Sequence, residues 1–252
     1  MTEQEALYKY CLRLGDNALI QSYRLSEWCS NGPILEEDLA LTNFALDMTG
    51  RAQALLAYAG KTEGKGKTDD DLAYKRGERS FYNHLINELP NNDFAFTIAR
   101  ILFVSTYEYY FYSELVHSTN ETLAAIAAKT IKEVKYHMAH ATEWTLRLGD
   151  GTEESRSRMQ NAINELWPYT NELFETGEED ELLQNHKLSA QMRQIKSKWS
   201  SYITHLLAEA TLTVPEDGYM HTGGLNGVHT EHLGHILTEM QYLQRAYPEA
   251  TW

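Results

Sequence analysis

The five prolines of this chain lie far apart, and that spacing most constrains what it can fold into. Proline breaks a helix interior, because it lacks an N–H and its ring clashes with the preceding turn. Its scarcity leaves long stretches free to run as helix. From Leu35 to Ala59 apolar residues recur at helical spacing: Leu35, Leu39, Leu46, Leu55 and Leu56, with Ala40, Ala45, Ala52 and Ala59 between. Gly60 is expected to close that helix. Residues 4–28 read as one or two helices with a pause at Gly15-Asp16, ended by Asn31-Gly32-Pro33. The polar, Gly-rich run 61–71 reads as a mobile loop, followed by a helix over about 70–88. Asn92 or Asp93 is placed to cap the next helix.

Residues 94–118 are rich in aromatics, which favour strands. The stretch is nevertheless too long without a turn signal for a usual strand, so it reads as a buried helix. Further helices are expected over 121–148, 153–175 (capped by Thr152), 188–210 and 230–246, with an irregular loop at 213–227. Strands do not alternate with helices and no Gly-rich phosphate loop appears, which excludes a Rossmann arrangement. The expectation is an all-α, up-and-down helical bundle with additional helices, forming one domain over 1–252.

Asp and Glu number 36 against 22 Lys and Arg, a formal charge of -14. Nucleic-acid binding needs clustered positive charge, so that role is set aside. No apolar run is long enough to span a membrane and the N-terminus has no signal-peptide core, so a cytoplasmic protein is expected. Cys11 and Cys29 stand too far apart along a helix to form a disulfide, and both are expected to be buried.

The segment KEVKYHMAH (132–140) nearly spells a metal helix. A di-iron bundle needs a carboxylate from each of two helices and Glu-x-x-His from each of two others. Val134 stands three residues before His137, where Glu is required. Glu133 is rotated about 100° away. Asp47 is followed three residues on by Gly50, where His is required. Gln21 occupies a position that calls for an anion. The set Gln21, Asp47, Gly50, Val134 and His137 therefore reads as a degenerate ligand set, and no metal is expected in this chain.

With those residues in view, the chain resembles the C-subunit family of the bacterial phenylacetyl-CoA (ring 1,2-) epoxidases. The resemblance rests on LRLGDNALIQSYRLSEWC (12–29), EEDLALTNFALDMTGRAQ (36–53), FAFTIAR (94–100), AAIAAKTIKEVKYH (124–137) and above all GVHTEHLGHILTEMQYLQR (227–245). It implies a ferritin-like fold and a non-catalytic structural subunit. That subunit would pair with a similar catalytic chain holding the di-iron centre and the acyl-CoA site, with a separate reductase supplying electrons.

Two further constellations stand out. His232, His235 and Glu239 share a helical face, and Thr230 is placed to cap that helix. They read as a docking face pinned to the bundle or to a partner, in preference to a metal site. Lys61, Lys65, Lys67, Lys75, Arg76 and Arg79 make a local positive excess, with Phe81, Tyr82 and Asn83 following. Arg76, Arg79, Phe81, Tyr82 and Asn83 are candidates for contact with CoA or a partner. Two alternatives stay open from the residues alone: a self-sufficient metal-dependent oxygenase or ferroxidase, and an acyl-CoA-binding helical protein.

Overall fold

The computed structural model describes residues 1–250, and among them there is no strand. The α-helices are α1 (Glu3–Ser26), α2 (Leu35–Glu63), α3 (Asp69–Tyr74), α4 (Phe94–Leu115), α5 (Glu121–Gly149), α6 (Glu153–Leu166), α7 (Glu178–Asn185), α8 (Met192–Glu209), α9 (Glu231–Met240) and α10 (Tyr242–Ala246). None of the prolines lies inside one of them. None of the helices is long and apolar enough to cross a membrane among the described residues.

The chain divides into two compact units. The first comprises Met1–Pro90, Gly177–Leu183 and the described residues from Gly223 onward. Its centre is the α1–α2 pair. A capping box starts α1, in which Thr2 accepts from the Glu5 N–H and Glu5 accepts from the Thr2 N–H. The helix does not pause at Gly15-Asp16. A Cβ at Gly15 would lie 2.7 Å from Leu56 Cδ2, so the glycine lets α2 approach closely instead of ending α1. Gly60 does not close α2 either. It makes room for the carbonyl of Lys67, and the helix runs on to a left-handed Gly64.

The loop after α2 is short, because Thr68 and Asp71 form a second capping box and start α3. The helix expected over 70–88 stops at Tyr74. Beyond it the chain is irregular, with short 3-10 turns at Glu78–Ser80 and Leu85–Asn87. The physical reason is that α1 supplies its backbone with partners. The Tyr82 N–H donates to Asp16 at 3.0 Å and the His84 N–H to Asn17 Oδ1 at 2.9 Å.

The second unit comprises Asn91–Thr176 and Gln184–Thr222. Asp93, Asn120 and Thr152 cap α4, α5 and α6. The aromatic run forms α4, as expected, and its rings make a core. Phe103 meets Trp167 and Trp199, while Tyr107 meets Phe111 and Phe174. Trp199 Nε1 donates to the Phe103 carbonyl at 2.9 Å. The helix expected over 153–175 ends at Leu166, and 3-10 turns follow from Trp167. Pro168, lacking an N–H, sits in the first of them. The helix expected from 188 begins at Met192.

The last helical stretch is two helices, broken at Gln241, whose buried amide donates to the carbonyls of Ala73 and Arg76, each at 3.1 Å. Cys11 is buried, but Cys29 is exposed just past the end of α1, which corrects the expectation for it.

Candidate functional site

The expected ligand positions fall on three helices. Gln21 is buried on α1, and Asp47 and Gly50 are half-buried on α2. Val134 and His137 are fully buried on α5. Glu133 reaches Lys129 on the surface of its own helix at 3.6 Å, as its rotation predicts. Iron needs convergent anions and imidazoles. An amide, a glycine and a valine cannot supply them. Among the described residues no three His, Cys, Asp or Glu side chains converge in a way that could hold a metal ion. The residues present do not fit a di-iron centre.

The densest polar geometry lies in the first unit, around Glu88. Its carboxylate is fully buried and accepts four hydrogen bonds: Asn83 Nδ2 at 2.8 Å, His229 Nδ1 at 2.6 Å, the Thr230 N–H at 2.8 Å and the Thr230 hydroxyl at 2.6 Å. Its backbone carbonyl accepts Arg24 Nε at 3.0 Å and Nη2 at 2.6 Å. The second ring nitrogen of His229 faces the Phe81 carbonyl at 2.9 Å. A carboxylate and a carbonyl both accept, so this geometry favours a ring protonated on both nitrogens. Burial alone would lower the pKa of His229, but the hydrogen bond and charge of Glu88 outweigh it and raise it.

Two more buried ion pairs extend this network. Arg76 forks onto Asp16, with Nη1 at 3.0 Å, and lies over the Phe81 ring at 4.2 Å. Burial raises the pKa of Asp16, opposed by the Arg76 charge. Arg13 forks onto Asp180 at 2.6 and 2.5 Å and touches Glu179 at 3.5 Å. Burial would raise the Asp180 pKa, but Arg13 holds it below the usual carboxylate range. Burial, then the Arg13 charge, pushes His84 down to about 3, so that imidazole is neutral.

These contacts decide where the sequence candidates stand. Arg76 is committed to Asp16 and to the Ser80 carbonyl at 2.6 Å, and Phe81 and Asn83 are buried. Tyr82 is half-buried, and Arg79 alone of that group is well exposed. Lys65 and Lys67 pair with Glu63 at 3.2 and 3.0 Å. The groove beside them at Asp70, Asp71, Tyr74, Lys75 and Tyr247 carries two carboxylates, the wrong sign for a phosphate.

On α9, Leu233, Ile236 and Leu237 are the buried residues, while His232 is half-buried and His235 and Glu239 are exposed. Glu239 accepts the Tyr23 hydroxyl. Thr230 stands at the cap position without capping, because its hydroxyl is turned to Glu88. Sequence reasoning singled out His232 and His235 and missed His229. The available signal was a His-Thr pair just before the helix rather than on its face.

The fold defines an all-helical chain of the ferritin-like class, with Gln21, Gly50 and Val134 at three of the positions where a di-iron bundle needs ligands. The pattern of the Phenylacetic acid catabolic protein family (PaaA_PaaC) matches residues 1–252, and the chain belongs to that family. It is 46% identical over 246 residues to the C subunit of 1,2-phenylacetyl-CoA epoxidase from Escherichia coli (strain K12), covering 98% of this chain and 99% of that protein.

Proposed function

We propose that this chain is a structural, non-catalytic subunit of a 1,2-phenylacetyl-CoA epoxidase, paired with a catalytic subunit that holds the di-iron centre. The reductase of the complex would be a further chain. The observation that carries the reading is the replacement of ligands at Gln21, Gly50 and Val134, in a chain matched end to end by the C subunit of such an epoxidase. The buried acids of the first unit support it. Asp16, Glu88 and Asp180 each have strong protein partners, which leaves them poorly placed to bind a metal or move a proton.

The test is an epoxidation assay with phenylacetyl-CoA, NADPH and the reductase, using the chain alone, the catalytic subunit alone and the two together. The expected result is no turnover by the chain alone after iron loading, and more turnover by the pair than by the catalytic subunit alone. Turnover by the isolated chain above a no-protein control, with about two irons bound per chain, would replace this reading with that of a self-sufficient oxygenase.

A further inference from the structure

Two Asn-Gly pairs occur in the chain, Asn31-Gly32 between α1 and α2 and Asn226-Gly227 ahead of α9. Such a pair is prone to cyclise on itself, because glycine has no side chain to shield its backbone nitrogen from the amide carbon of the asparagine. The nitrogen must shed its proton as it attacks. What its N–H touches therefore bears on whether a given pair reacts.

Both asparagines are exposed, but the fold puts the two glycines in different settings. The Gly32 N–H donates to Asp38 Oδ2, in the first turn of α2, at 3.1 Å. A carboxylate thus stands where the proton has to go. The Asn31 side-chain nitrogen, which would be the leaving group, donates to the Glu27 carbonyl at 3.0 Å. The segment 27–34 lies outside any helix, so its turn can adjust as a ring closes.

The Gly227 N–H donates instead to the Gly224 carbonyl at 3.1 Å, and a peptide carbonyl is far too weak a base to take the proton. Gly227 is buried and left-handed, with φ at 67°, and a Cβ there would collide with the Arg79 carbonyl. Closing a ring at this point would push a clamped backbone against its neighbour. Gly32 is also closely packed, but against Asp38 itself.

We propose that Asn31 is a self-modification site of this chain, with Asp38 as the general base, and that the turn at Gly227 protects Asn226. The bond that forms joins the Gly32 nitrogen to Asn31 Cγ. The bond that breaks is Cγ–Nδ2, and ammonia leaves carrying the proton that Asp38 relays. Water then opens the succinimide at either of its carbonyls, leaving aspartate or isoaspartate at position 31. No other reactant is needed, and the proposal is independent of the pairing proposed above.

The product alters the junction of the two central helices of the first unit. A carboxylate cannot donate to the Glu27 carbonyl, so a hydrogen bond becomes a contact between two acceptors. The new anion also sits just past the C-terminal end of α1, where the helix dipole disfavours it. The isoaspartate form adds a backbone carbon to the connector as well. Converted chains should therefore melt at a lower temperature than unconverted ones.

The experiment holds the full chain in warm, mildly alkaline buffer, native in one arm and in urea in the other, and follows both asparagines by peptide mapping with mass spectrometry. In the native arm position 31 should convert at least about tenfold faster than position 226, a barrier difference of about 1.4 kcal/mol. In urea the two should convert at similar rates, since the protection belongs to the fold. Asp38→Asn keeps an oxygen that can accept the Gly32 N–H but removes the base. It should slow position 31 in the native arm by about tenfold, a modest factor because a carboxylate is a weak base, and leave position 226 unchanged. Equal native rates at the two positions would overturn the proposal. So would a native Asn31 that stays intact while urea releases both; neither comparison needs a variant. A rate at position 31 that Asp38→Asn leaves unchanged would remove Asp38 from the reaction.

Discussion

Replacing Glu88 with Gln tests the buried network most directly, because it keeps shape while removing charge. In the parent, the carboxylate accepts four buried hydrogen bonds and balances the His229 imidazolium. A glutamine has one acceptor oxygen. If that oxygen keeps the two Thr230 contacts, its amide faces His229 Nδ1, which must then give up its proton. Two charge-assisted bonds are lost, partly offset by the neutral bonds that replace them. The net cost is about 3 kcal/mol, and a chain of this length loses roughly 2–4 °C of melting temperature per kcal/mol.

The pH dependence separates this mechanism from a simple packing defect. The folded pKa of His229 is raised, so its contribution is fully present below the unfolded value of 6.5 and is lost as pH rises through the folded pKa. His84 acts in the opposite sense. Its folded pKa is lowered to about 3, so it costs stability only as pH falls below its unfolded value. The Cys11 thiol is pushed up from 9.0, and it contributes only at more alkaline pH. Above pH 6.5 the difference between parent and Glu88→Gln reports His229, because groups common to both chains cancel. Melting followed by circular dichroism at several pH values in that range should give a gap between parent and Glu88→Gln that is widest at the acid end and narrows upward. A gap that is absent, or constant across the range, would refute the imidazolium assignment.

Three other expectations follow from single contacts. Gly15→Val places atoms inside the contact with Leu56 and should destabilise the α1–α2 pair by about 1–3 kcal/mol, read as a lower melting temperature. Arg13→Ala leaves the buried Asp180 without its cation, while Glu179 keeps Lys9 at 3.0 Å, and should cost about 3–5 kcal/mol at neutral pH, while acid narrows the loss, because the lowered Asp180 pKa contributes stability only above its folded value. A thiol reagent should label Cys29 rapidly in the native chain and Cys11 only after unfolding. Equal labelling rates would contradict the placement of both.

The long helices were legible because their information is local. Apolar periodicity set α2, the length of the aromatic run without a turn signal marked α4, and the caps at Asp93 and Thr152 fixed two starts. The errors occur where tertiary contact overrides local signal. Gly15 and Gly60 read as helix breakers, yet each is small because another chain segment lies against it. The segment after Tyr74 looked helical because nothing local showed that Asp16 and Asn17, far back in sequence, would take over its backbone N–H groups. The residues Gln21, Gly50 and Val134 stood out in the sequence because a motif with a fixed spacing shows its gaps. The role of His229 was not, since both its partners, Glu88 and Phe81, lie more than a hundred residues away.

The same contrast bears on what the chain is for. Chemistry at a buried carboxylate or imidazole requires a lone pair or proton that the protein itself leaves available. Glu88, His229, Asp16 and Asp180 spend theirs on Asn83, Thr230, Phe81, Arg76 and Arg13, and in doing so fasten an irregular segment and the start of α9 within the first unit. Such a network fixes one geometry at high cost of rearrangement. On the surface, α2 leaves Leu35, Leu39 and Leu46 exposed. On the proposed function, a chain that commits these buried polar groups to one rigid geometry would serve to hold another protein in place. A rigid partner lowers the entropy cost of ordering the chain it binds, and under the proposed pairing that is a physical route by which this chain would raise the activity of its catalytic partner.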